Sequence, residues 1–164
     1  MRARNNSGLT LVEVMIMVVI MSVLAAIAVP TMVRYTKRAR TSEAFGNIAR
    51  IYAAQLSYRD ESHGHGLSQN FVNAPTTPNT PPRSAKYAAD LSRWTSSPAW
   101  VALGFGLDSG HYFQYASPAS ATSFEVRALG DFDNDGVFAT YSRTGQLIEG
   151  EISASNIAIT LDLE

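Results

Sequence analysis

Two stretches of this chain place carboxylates where their type and spacing could do chemistry. Glu13 stands inside an apolar stretch that begins at Leu9. A carboxylate at the centre of a bilayer costs around 2.5–3.5 kcal/mol on insertion scales, and less near an interface. Such a residue marks a function and needs a partner charge, unless it only snorkels at the membrane boundary. The second stretch is Gly130-Asp131-Phe132-Asp133-Asn134-Asp135-Gly136. Asp131, Asp133 and Asp135 alternate and are followed by glycine, as at the start of a calcium loop, where several hard oxygens converge. The bidentate glutamate that closes such a loop is missing, and Ser142 fills the twelfth place. Glu149 or Glu151 could replace it only if the strands bring them near. An acidic hairpin turn using Asp135-Gly136 accounts for the same residues without a metal. Calcium is therefore one of two open readings of this turn.

Other constellations are weaker. His63 and His65 lie on a glycine-rich loop with no third ligand nearby, a pair more often solvated than metal-bound. Asp60, Glu61 and His63 read as polar helix termination rather than an acid/base pair. There is no cysteine, which excludes a disulfide framework, a thiolate metal site and a cysteine nucleophile. No nucleophile elbow, zinc-ligand spacing or phosphate-binding glycine loop is present, so an enzyme is not expected. The formal net charge is −1 and the sequence pI about 6.3, so no global field points to nucleic acid. Beyond Arg59 the positive residues are Arg83, Lys86, Arg93, Arg127 and Arg143, scattered among acids. That is no basic stripe for DNA.

The elements that must position these residues follow from hydrophobic pattern. Val14 to Val33 is twenty residues without a charge, roughly 30 Å of helix and enough to cross the hydrocarbon core of a bilayer. MRARNNSG precedes it, short, polar and basic. The apolar run continues past Ala25, Ala26 and Ala28, so it reads as a retained anchor and not a secretory signal. Pro30 lacks an N–H and clashes with the Ala26 carbonyl, which predicts a kink or a locally melted turn. Arg34, Lys37, Arg38 and Arg40 follow the run and by count slightly favour the opposite orientation to an N-terminus inside. Beyond them, Ala44, Ile48, Ile51, Gln55 and Tyr58 fall three or four apart, widened by Phe45, Tyr52 and Leu56. This predicts an amphipathic helix over 34–62, stopped by the glycines after Ser62. Tyr35, Phe45, Tyr52 and Tyr58 read as packing against a sheet rather than as a conducting stripe.

Residues 63–84 predict an exposed irregular loop, because four prolines between Asn70 and Ser84 exclude regular structure. Pro98–Gly104 predicts a short helix. Strand signals cover 111–116, 123–129, 137–142, 147–152 and 157–163, with Thr144-Gly145 as a hairpin turn. One long helix followed by a strand meander over about 111–164 is an α+β architecture, the antiparallel sheet laid on the helical stripe.

Gly8-Leu9-Thr10-Leu11-Val12-Glu13 resembles the prepilin peptidase recognition motif of type IV pilins and type II secretion pseudopilins. Four features coincide: a short basic leader, glycine at the cut, the glutamate and an adjoining apolar run. The resemblance implies the type IV pilin fold. It also implies cleavage between Gly8 and Leu9, removal of leader 1–8 and methylation of the new terminus at Leu9, where Leu replaces the usual Phe. Residues 9–33 would span the inner membrane and later form the filament core, with 34–164 as a periplasmic and then extracellular head. Glu13 would pair with the freed amine of Leu9 on a neighbouring copy and fix subunit register. Pro30 matches the family's helix proline. The implied partners are prepilin peptidase, other copies in a helical filament and an inner-membrane assembly platform. The implied roles are attachment and twitching motility as a type IV pilus subunit, with a minor pilin or a type II secretion pseudopilin as the alternatives. Ala99–Phe105 (AWVALGF) and the Gly130–Gly136 turn resemble the C-terminal part of pilins from soil-type bacteria.

Overall fold

The computed structural model describes residues 9–64 and 70–160, with residues 63 and 64 described by backbone alone. Its first element is α1, Leu11–Gly64, 54 residues long. The chain divides into two compact units between Thr36 and Lys37. In the first unit every described residue up to Tyr35 is exposed. Its hydroxyls are satisfied locally: Ser22, Thr31 and Thr36 donate to the Val18, Ile27 and Met32 carbonyls at 2.7, 2.9 and 2.9 Å. Bonding to the fourth preceding carbonyl lets polar side chains ride in an apolar helix. Helical conformation runs through Pro30 without a melted turn.

The second unit is built on the C-terminal half of α1. Ala44, Ile48, Ile51, Tyr52 and Gln55 are buried as the 3.6-residue pattern predicts, and Thr41 and Asn47, which that pattern does not include, are buried with them. Phe45, Leu56 and Tyr58 border it, partly buried. Phe45 packs edge-on to Tyr141 and Tyr52 tilts against Phe124, so these aromatics pack helix to sheet, while Tyr35 is exposed.

The sheet is antiparallel, in the order β1 (Ala74–Thr77), β2 (Gln114–Ser117), β3 (Ser123–Gly130), β4 (Ala139–Ile148), β5 (Glu151–Ala154). β6 (Ala158–Thr160) pairs with β4 beside Thr140–Ser142, on the edge that β5 occupies further along. Between β1 and β2 lie two short helices, α2 (Ser92–Thr95) and α3 (Pro98–Ala102). The register of β3 and β4 pairs large against small: Phe124 with Gly145, Ala128 with Tyr141. A Cβ on Gly145 would clash with the edge of the Phe124 ring, and one on Gly130 would meet Phe113 at 2.7 Å. Alternate residues Phe124, Val126, Ala128 and Gly130 face inward, as strand geometry requires.

Three expectations are corrected. The proline-rich segment is not wholly irregular, since Ala74–Thr77 forms β1. Pro75 is tolerated there because β1 is an edge strand paired only with β2, with a register shift between Ala74 and Thr77. Thr144-Gly145 is not a turn but the middle of the ten-residue β4. The reversal falls at Glu149-Gly150, both at positive φ (52° and 89°), as a two-residue hairpin turn demands. The first predicted strand is shorter than 111–116: His111 makes only an isolated bridge to Tyr87. The last predicted strand is seen as Ala158–Thr160, and positions 161–163 lie outside the described residues.

Hydrogen bonds tie down the irregular segments that no disulfide can hold. Gln55 acts as a surrogate strand partner: its Nε2 donates to the Val72 carbonyl at 2.6 Å and to Ser117 Oγ at 2.8 Å, and its Oε1 accepts from Val72 N at 2.9 Å. Trp100 Nε1 donates to Thr77 Oγ1 at 2.8 Å. Gln114 Nε2 donates to the Pro78 and Thr80 carbonyls at 2.6 and 2.7 Å. Each of these amide and indole groups is itself buried, where a lost partner costs about 1–3 kcal/mol.

Candidate functional site

Thr10-Leu11-Val12-Glu13, the described part of the glycine-to-glutamate motif, sits at the start of α1. Thr10 is the residue before the helix, and its Oγ1 accepts the Glu13 backbone N–H at 3.2 Å. Thr10-Leu11-Val12-Glu13 is therefore a capping-box sequence, a second job for two motif residues. The Ser/Thr-x-x-Glu spacing was there to be read. Glu13 lies in the first helical turn, where the positive end of the helix dipole favours a carboxylate by about 0.3–1 kcal/mol. It is exposed and forms no ion pair among the described residues. The structure brings Leu9, Thr10 and Glu13 within one turn. Gly8 and the leader lie outside the described residues.

Around this site the helix offers only apolar surface. Val12, Met15, Ile16, Val19 and Ile20 line one shallow groove of about 350 Å³. The apolar part of α1 has a mean hydropathy of 2.7 and is wholly exposed. A helix of this length and composition can cross a bilayer or enter a dry bundle.

The acidic turn follows β3. Asp131 is 3% exposed while Asp133 and Asp135 are exposed, and their carboxylate oxygens lie within 4.8 Å of one another. Asp131 is already committed: Oδ1 accepts Asn134 N at 2.6 Å and Oδ2 accepts Gly136 N at 3.3 Å. Asp135 Oδ1 accepts Val137 N at 2.7 Å. Asn134 and Gly136 take positive φ (65° and 87°). Asp side chains accepting backbone N–H groups in this way close a turn without help. Three carboxylates also fall short of the six to eight oxygens calcium takes. Glu149 and Glu151 cannot complete the set. They lie beyond Ile148, at the opposite end of β4 from Ala139, roughly 30 Å away along an extended strand. Ser142 sits within β4, paired with Arg127. The fit to calcium thus rests on Asp133, the free oxygen of Asp135 and the lone pairs that the two committed oxygens of Asp131 keep. His65 and the His63 side chain lie outside the described residues.

A long apolar helix headed by this motif and leading into an antiparallel sheet fits the type IV pilin α+β fold. The family model for the prokaryotic N-terminal methylation motif matches residues 3–29. Among curated proteins, the chain is 29% identical to the type IV major pilin protein PilA of Myxococcus xanthus over 77% of its own length and 43% of that protein's. The chain therefore spans under half of that relative. It is 29% identical to type II secretion system core protein G of Pseudomonas aeruginosa over 83% of its length and 91% of the relative's. The Vibrio cholerae core protein G is 28% identical over 82% of the chain and 87% of that protein. No solved structure matches the chain significantly.

Proposed function

We propose that the chain is a structural subunit of a type IV pilus. A prepilin peptidase cuts between Gly8 and Leu9, and the new Leu9 terminus is methylated. Residues 9–33 hold the protein in the inner membrane until an assembly platform extracts it into an extracellular filament for attachment and twitching motility. The observation that carries this reading is the first unit: an apolar helix, exposed throughout, with its one carboxylate in the first turn. Burying that surface against other copies removes apolar area from water or lipid, and the Glu13 carboxylate then needs the neighbour's Leu9 amine. The test is to shear cells and sequence the released filament protein. A major band beginning at methylated Leu9 is expected. A protein beginning at Met1, or absent from the sheared fraction while abundant in the membrane, would overturn it.

One observation favours the pseudopilin alternative. The similarity to core protein G runs over most of those proteins, whereas it covers under half of the PilA relative. Under that reading the chain stays in the cell envelope, and deleting its gene abolishes secretion of exported enzymes while surface filaments persist.

We further propose that the Asp131–Gly136 turn takes one calcium ion through Asp133, Asp135 and the outer lone pairs of Asp131. Its support is the convergence of three carboxylates with no ion pair to a basic residue among those described.

A further inference from the structure

His111 has no part in processing or in the acidic turn. Its side chain is buried, and Nδ1 lies 3.2 Å from the Ser109 carbonyl oxygen. In the neutral ring Nδ1 therefore carries the proton and donates it. Nε2 has no hydrogen-bond partner among the described residues. The rings of Tyr87, Trp94 and Tyr115 surround it, with centroids 5.3, 5.8 and 6.4 Å away. The same residue fastens a surface segment. Tyr87 N donates to the His111 carbonyl at 2.8 Å, and Tyr87 Oη donates to the Thr80 carbonyl at 2.8 Å. Gly110 permits the close approach, since a Cβ there would stand 3.2 Å from the Tyr87 carbonyl oxygen.

Two charged side chains face the imidazole. Glu43 on α1 favours its cation and Arg93 on α2 opposes it. Tyr87 and Tyr115 stay neutral: burial pushes Tyr87 up to about 12 and Tyr115 higher still. Burial is the largest influence on His111 and holds its pKa below the ordinary imidazole value. An imidazolium would bring a second N–H into a place with no acceptor, at the cost of a buried, unpaired charge.

We propose that His111 is an acid-sensitive pin, whose protonation loosens the surface segment 79–90 that Tyr87 fastens to the head. The sign follows from linkage. With the folded pKa below the unfolded one, the unfolded chain binds the proton first. The stability His111 contributes is complete above the unfolded value and falls as pH drops below about 6.5.

The experiment is amide hydrogen exchange on the full-length protein in detergent micelles at about pH 7.5 and about pH 5.5, corrected for intrinsic rates. Peptides covering 79–90 should exchange at least about threefold faster at the lower pH, and His111→Phe should remove that difference. Equal corrected rates in the wild type, or an acid effect that survives in His111→Phe, would overturn the proposal. If His111→Phe does not fold, exchange of the imidazole C2 hydrogen in the wild type decides the matter. A midpoint below the ordinary histidine value supports the pin, and one at or above it refutes it.

Discussion

Residues 9–36 and residues 37–160 handle burial in opposite ways. The first stretch presents Leu11, Val12, Met15, Ile16 and Ile20, each more than half exposed. The second encloses Trp94, Trp100, Phe113, Tyr115, Phe124 and Tyr141 almost completely. Even its cations settle on aromatic faces: Arg143 stacks over Tyr52 at 4.1 Å and Arg40 over Tyr112 at 4.5 Å. Apolar surface on that scale is not left in water. The helix needs a cover that the head does not supply, which in the proposed function is lipid before assembly and other copies afterwards, whereas the head completes a core of its own. Without disulfides, that core relies on large rings and on buried amides such as Gln55 and Gln114 that cap loop carbonyls.

The contrast predicts that damage to one region spares the other. The largest effect is expected from Glu13→Leu. In the proposed filament Glu13 pairs with a neighbour's Leu9 amine, and removing one partner of such a buried pair costs about 3–5 kcal/mol, because the other charge is left unpaired. Repeated at every subunit, that cost should reduce sheared filaments to background while the head melts as in the wild type, measured by circular dichroism on the full-length protein in detergent. Normal filaments from Glu13→Leu would remove the reason for the first-turn carboxylate. Trp100→Ala should do the reverse. Trp100 is fully buried and its indole holds Thr77, so its loss should cost the head about 3–5 kcal/mol. Membrane insertion, read by carbonate extraction, should not change.

Both regions were legible in the sequence, to different depths. The first was plain as a helix, because twenty residues without a charge leave few alternatives, although the melted turn expected at Pro30 is absent. The amphipathic stripe also transferred in the main: Ala44, Ile48, Ile51 and Gln55 are buried, and Tyr58 is partly so. What failed was local chemistry read without its partner. Thr144-Gly145 has turn composition, yet the glycine is there to admit the Phe124 ring from β3, a contact no short window reveals. The reversal falls instead at Glu149-Gly150, inside the stretch 147–152 that reads as one strand. Pro75 argued against a strand and would have been right in the sheet's interior, but edge position is a property of topology. The acidic turn was located correctly. That Asp131 spends its oxygens on Asn134 and Gly136 depends on backbone geometry that composition does not encode.

Smaller effects probe the head alone. Gly145→Ala puts a methyl group where the Phe124 ring already lies. Overpacking of this kind costs about 1–3 kcal/mol, so a lowered melting temperature is expected. Gly145→Ala combined with Phe124→Leu should lose less than the two single changes added together, because they share one contact. Strict additivity would mean that the register of β3 and β4 is not what requires the glycine.

The smallest effect separates the two readings of the acidic turn. Calcium sites of low ligand count bind at about 0.1–1 mM. A millimolar concentration then stabilises the fold by at most about 1.4 kcal/mol. Removing calcium from the full-length protein with a chelator should therefore lower its melting temperature by a few degrees. Asp131→Ala is a poor control, because it also strips the acceptor from two backbone N–H groups and destabilises with or without metal. Asp133→Ala is the better one: Asp133 is exposed and makes no hydrogen bond among the described residues, so without calcium it should melt like the wild type. If calcium binds, the chelator effect disappears in Asp133→Ala and the wild type keeps it. If the melting curves of the wild type with calcium and with chelator coincide, the turn is closed by its own backbone donors and holds no ion.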